Sequence, residues 1–106
     1  MARRDRVTPP GRDPFDPLDG RIDHQLDLHT FTAVEARTRL RAYVEQTRRR
    51  SPGALVHVIT GRGRNSPGAP VLKPLVRTLL RGELAPHVAA WGLDLGEGGY
   101  LIRLRD

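Results

Sequence analysis

The sequence predicts a two-layer α/β sandwich in the order βαβαββ, a four-stranded mixed sheet carrying two helices on one face. Three observations support this class. Two strand-like runs are each followed by an apolar repeat at helical spacing. Two further alternating runs close the chain, and a glycine-rich turn separates them. Strands that leave one face wet and helices that carry one apolar stripe bury both by stacking as two layers.

Each element has its own signal. Residues 1–21 form a disordered or loosely docked leader, with Pro9, Pro10, Pro14 and Pro17, mixed charges and few large apolar groups. Phe15 and Leu18 are its candidates for packing onto the edge of the domain, which spans residues 22–106. Ile22 to Leu28 alternates, with Ile22, His24, Leu26 and Leu28 on one face and Asp23, Gln25 and Asp27 on the other. Thr32 and Glu35 make a capping box ahead of a helical run. Its apolar side is Ala33, Ala36, Leu40, Tyr43, Val44 and Thr47, while Arg37, Arg41 and Arg48 gather on another side, read as a solvated face. Ser51-Pro52-Gly53 ends it.

The second strand runs from Ala54 to Thr60. Its valines, Val56 and Val58, are placed towards the helices and His57 on the open face. A second helix follows through Val71, Leu72, Leu75, Val76, Leu79 and Leu80. Pro74 requires this helix to begin close to Pro70 or Val71, so that the proline falls in the first turn. Val88 to Leu93 is the third strand, Gly96 to Gly99 a turn, and Tyr100 to Arg105 the fourth strand of an antiparallel hairpin. Trp91 is assigned to packing, since the interleaved aromatics of a base-stacking platform are lacking.

Composition narrows the function. The 106 residues carry a net charge of +6 and no cysteine, which excludes a disulfide framework and thiolate metal sites. All but one unit of that charge lies on residues 22–106, so the folded surface and not a basic arm is cationic, as suits a phosphate-bearing partner. No apolar run reaches membrane-spanning length, and Met1-Ala2-Arg3-Arg4 is not followed by a signal-peptide core. The expectation is a cytoplasmic protein with no membrane partner, present as a monomer or weak homodimer.

The chemistry concentrates between Leu55 and Pro74. A β-branched strand breaks into Thr60-Gly61-Arg62-Gly63-Arg64-Asn65-Ser66-Pro67-Gly68 and resumes as a helix. Glycines let a ligand approach the backbone, and helix N-terminal amides favour an anion. The loop is therefore read as a phosphate grip formed by Thr60, Gly61, Arg62, Gly63, Arg64 and Asn65, with Lys73 behind it. A strand, helix, strand passage implies a right-handed parallel crossover. If the first two strands are neighbours, Asp27 and His29 stand beside this loop, at the carboxyl ends where open α/β sheets bind ligands. The loop is neither a P-loop nor a dinucleotide fingerprint, since Ala69-Pro70 and Ser66 occupy the discriminating positions. No nucleotide cofactor is expected. The four histidines lack ligand spacing, so zinc is not expected either, and neither Ser51 nor Ser66 sits in a nucleophile elbow.

Leu26-Asp27-Leu28-His29 followed by Thr60-Gly61-Arg62-Gly63, with Gly98-Gly99 in the trailing hairpin, resembles the small MutS-related (Smr) domain family over about Leu26 to Leu104. The resemblance implies nicking or endonucleolytic activity on DNA or RNA, and a fold similar to the C-terminal domain of a bacterial translation initiation factor. It carries the family's acidic motif to Asp27 and His29, and its glycine motif to Gly61, Arg62 and Gly63. Thr30 stands where many members have glycine, and Thr60 where many have histidine, so a two-histidine acid/base scheme does not transfer. The expected function is that of a small stand-alone endonuclease with Asp27, His29 and Arg62 as catalytic residues. Asp27 would orient water or bind Mg²⁺ or Mn²⁺. The alternatives are a non-catalytic module for RNA or branched DNA and a small-molecule phosphate binder.

Overall fold

The computed structural model describes residues 16–61, 69–96 and 98–106. Its elements are β1 (His24–Asp27), α1 (Ala33–Arg50), β2 (Leu55–Ile59), α2 (Ala69–Arg81), a short 3₁₀ turn (Ala85–His87), β3 (Val88–Leu93) and β4 (Gly99–Leu104). The strands form one sheet in the order β1-β2-β4-β3. β1 and β2 are parallel, and β4 runs antiparallel to both its neighbours. The mixed four-stranded sheet of the sequence prediction is therefore the observed fold.

α1 starts where its capping box dictates. Glu35 N donates to Thr32 Oγ1 at 3.2 Å, and Thr32 N donates to Glu35 Oε1 at 3.0 Å. Ala36, Leu40 and Val44, one turn apart, are its buried stripe. They meet Leu72, Val76, Leu79 and Leu80 of α2 and the inward residues of β2 and β4, namely Val56, Val58, Tyr100, Ile102 and Leu104. Burying a side chain such as Leu40 completely is worth about 2 kcal/mol. The parity assigned to β2 is the observed one: both valines are fully buried, and His57 lies on the opposite face.

Three details differ from the expectation. β1 is shorter than Ile22 to Leu28, although Asp23 N and Leu28 N still donate to Leu55 O and Ile59 O, and Ile22 remains exposed. α2 begins at Ala69, so Pro74 lies beyond the first turn. The carbonyl that loses its partner is that of Pro70, which is at the exposed start of the helix and open to solvent. The Arg37, Arg41, Arg48 face is not merely solvated. Arg37 Nη2 and Arg41 Nε hold the Glu83 carboxylate at 3.0 and 2.6 Å, tying α1 to the end of α2. Arg48 donates to Pro86 O and Asp106 O.

On the other face of the sheet, Arg103 collects the docked segment 16–20. Its guanidinium donates to Pro17 O, Gly53 O and Asp19 O at 2.8, 2.9 and 2.8 Å. Leu18 covers Gly92, where an added Cβ would lie 3.0 Å from Leu18 Cδ1. The proposed packing of Phe15 lies outside the described residues. A register shift between Val88 and Ala90 brings Trp91 opposite Ile102. Trp91 there packs edge-on against Tyr100, 5.7 Å between centroids, with Arg81 over its own ring. No helix is long and apolar enough to cross a membrane among the described residues.

Gly99 lies at a close approach between β4 and β2, since a Cβ built there would sit 2.0 Å from Val58 O. Backbone cannot yield as a side chain end can, so Gly99→Ala should lose about 3 kcal/mol, the upper end of overpacking costs. Urea unfolding reads this as a lower midpoint at unchanged slope; an unaltered midpoint would contradict the close approach.

Candidate nucleic-acid site

The register of β1 on β2 pairs Asp27 with Ile59, and Leu28 N donates to Ile59 O at 2.8 Å. The next residues of the two strands, Leu28-His29 and Thr60-Gly61, therefore leave the sheet side by side, about 5 Å apart. The N-termini of α1 and α2 and the β3–β4 turn open onto the same rim, because each follows or precedes a strand end located there.

Asp27 and His29 form a closed unit. Asp27 Oδ1 accepts His29 N at 3.0 Å and pairs with His29 Nδ1 at 2.6 Å. The backbone part is an Asx turn, a use of aspartate that needs no ligand. The ring part goes further, since it orients the imidazole. With Nδ1 donating to the carboxylate, a neutral ring presents Nε2 as an acceptor. Both side chains are about half exposed, at 46% and 48%. Partial burial pushes the Asp27 carboxyl up, but the amide, the ring hydrogen bond and the charge of His29 together outweigh it, and its pKa is lowered. Thr32 does cap α1, so Asp27 is not needed there.

The remaining predicted site residues separate. Thr60 is fully buried, and its hydroxyl reaches Gly98 O at 3.3 Å, so its side chain secures the strand end. Gly61 is buried with φ +103°, a conformation that a side chain would strain, and its amide donates to Gly98 O at 3.0 Å. Lys73 lies near the start of α2, where its carbonyl accepts the Tyr100 hydroxyl at 3.1 Å. Arg62, Gly63, Arg64 and Asn65 lie outside the described residues.

Among the described residues no three His, Cys, Asp or Glu side chains cluster as a metal-ion cage. Asp27 offers one carboxylate, with Oδ1 already engaged by His29, whereas a hard cation is normally held by one or two carboxylates plus waters and phosphates. The described donors therefore do not make a metal site by themselves. A cleft of about 410 Å³ lined by Glu45, Arg48, Arg49, Pro52, His87 and Asp106 belongs to the opposite rim, where α1 and β4 end.

One contact of consequence is not legible in the sequence, where His57 is placed on the open face and no histidine has ligand spacing. His57 Nε2 meets Asp94 Oδ2 at 2.7 Å, and Asp94 Oδ1 accepts Gly98 N at 2.9 Å. The only hint was the parity that put His57 on the open face, since Asp94 arrives there through the hairpin turn.

Comparison with known families now bears on this geometry. The family model of the Smr domain matches residues 26–102, most of the chain. No curated protein matches it.

The Asp27–His29 pair has a titration signature. The folded protein favours the ionised Asp27 carboxyl, so the associated stability is present above the pKa of an unfolded aspartate and is lost as pH falls through the lower folded value. In His29→Ala, burial is opposed only by the backbone amide, and the Asp27 midpoint should rise. Carboxyl-carbon NMR titration of both proteins measures the shift, and equal midpoints would remove the ring from the account.

Proposed function

The chain belongs to the Smr domain family, and from that premise we propose that it is an endonuclease cleaving phosphodiester bonds of DNA or RNA at the rim where β1 and β2 end. The family relationship supports nucleic acid as the partner. The observation that carries the catalytic reading is the 2.6 Å contact between Asp27 and His29 beside the first residues of the glycine loop. A turn aspartate needs only its bond to a backbone amide; a ring held by the same oxygen is the arrangement of an oriented base.

In this scheme Arg62, Arg64, Asn65, Gly63 and the loop amides grip the phosphate and neutralise it, and Lys73 adds charge from α2. Asp27 holds the imidazole in one tautomer and stabilises it when protonated. His29 Nε2 takes the proton from the attacking hydroxyl, either water or a ribose 2′-hydroxyl. The new bond forms at phosphorus as the bond to the leaving oxygen breaks, and that oxygen takes its proton from solvent. Thr60 is buried and bound to Gly98, so one imidazole serves the step. Mg²⁺ or Mn²⁺ at Asp27 is tested as a separate arm.

A non-catalytic binding module is the second reading, favoured by one observation: the Asx turn gives Asp27 a structural use. Labelled single-stranded RNA, duplex RNA and supercoiled plasmid, each with Mg²⁺, Mn²⁺ or EDTA, separate the two. Asp27→Asn should lower cleavage about 100-fold or more, the size of a proton-transfer contribution, while affinity is retained. Arg62→Ala should weaken binding and reduce the salt slope by about one. Absence of cleavage by the unaltered protein under every condition favours the binding module.

A further inference from the structure

The face of the sheet opposite the helices holds a second histidine–carboxylate pair that the proposed scheme does not use. His57, in the middle of β2, and Asp94, at the end of the β3 strand, meet at 2.7 Å with side chains only 20% and 14% exposed. A contact this sheltered from solvent holds a more definite geometry than one between exposed side chains. Its second oxygen does not face solvent idly: Asp94 Oδ1 accepts the Gly98 amide at 2.9 Å, and Asp94 N donates to Gly99 O at 3.0 Å. The hairpin turn is thereby closed on Asp94 from both sides.

Gly98 then reaches, through the peptide unit that follows its Cα, to the residues just after β2. Its carbonyl accepts Thr60 N at 2.9 Å, Gly61 N at 3.0 Å and Thr60 Oγ1 at 3.3 Å. Three donors on one carbonyl fix the backbone at the two residues from which the glycine and arginine loop departs. The chain of contacts thus runs from His57 in β2 to Asp94, to Gly98, and back to Thr60 and Gly61 just beyond the end of β2. A strand end that only had to turn would not need its neighbour's hairpin braced by a largely buried histidine–carboxylate contact.

We propose that Asp94, braced by His57, is a positioning residue that sets the backbone at Gly98 and, through the Gly98 carbonyl, the departure of the phosphate-gripping loop at Thr60 and Gly61. This rests on the loop being the nucleic-acid grip, and deepens that reading by naming what holds it in place. Asp94 touches no ligand itself. Its effect is on the angle at which Gly61 leaves the sheet, the point from which the proposed phosphate grip begins.

Hydrogen exchange and affinity, measured on the same variants, test it. In Asp94→Ala the Gly61 amide should exchange about five- to tenfold faster than in the parent protein, the size of one lost hydrogen bond, while the Val56 amide in the middle of the ladder changes less. Affinity for a labelled RNA hairpin should fall by a similar factor. Asp94→Asn keeps an oxygen for the Gly98 amide and should recover most of both, and His57→Gln should fall between Asn and Ala. Glu83→Gln, which loosens the Arg37 and Arg41 clamp elsewhere, should leave the ratio of Gly61 to Val56 exchange unchanged. Equal acceleration of Gly61 and Val56 in Asp94→Ala would overturn the proposal, because Asp94 would then only stabilise the domain. Altered Gly61 exchange with unaltered affinity would overturn it as well. If the parent protein binds no nucleic acid, the functional reading fails, while the exchange ratio still decides whether Asp94 holds Gly61.

Discussion

Parallel pairing of β1 with β2 delivers the Leu28 amide to the Ile59 carbonyl at 2.8 Å, and that register places everything else. It exists because α1 carries the chain from the end of one strand back to the start of the next and buries Ala36, Leu40 and Val44 against the sheet on the way. A slip of one residue would turn Leu26 and Leu28 out of the core and Asp27 into it, which the buried face forbids. The acid–imidazole unit and the glycine turn thus share a rim because the apolar stripe of a helix leaves the strands no other register.

The end of β2 is held by more than its own strand. Gly98 lends one carbonyl to three donors, and Gly99 beside it approaches Val58 so closely that no side chain fits between them. Two adjacent glycines therefore do different work: one presents a carbonyl, the other allows contact. Gly61 adds a third use, a backbone angle of +103° that turns the chain out of the sheet. The described part of the candidate site is built on strand ends, an arrangement suited to holding charge in a fixed place.

The arginines sort by position. Arg37, Arg41, Arg48 and Arg103 hold a carboxylate or backbone carbonyls of distant segments, so part of the positive charge works as fastening. Arg103 holds three carbonyls, from Pro17, Asp19 and Gly53. A planar fork with five donors can do this where the single charge of a lysine cannot. The count of arginines consequently overstates the guanidinium donors left for a partner, although those bound to carbonyls keep their charge.

The sequence alone determined the element order, the capping box at Thr32, the inward valines of β2 and the closing hairpin, because these rest on local spacing and on the need to cover apolar faces. It also brought Asp27 and His29 to the rim of Thr60 and Gly61, since handedness restricts how a strand, helix and strand can connect. Tertiary structure decided what spacing cannot encode. The partnership of His57 with Asp94, the clamp of Arg37 and Arg41 on Glu83, and the burial of Thr60 join residues far apart in the chain. The displaced start of α2 and the register shift that turns Trp91 inward belong with them. Each depends on side chains of separate elements meeting at one place, a distance that periodicity does not contain.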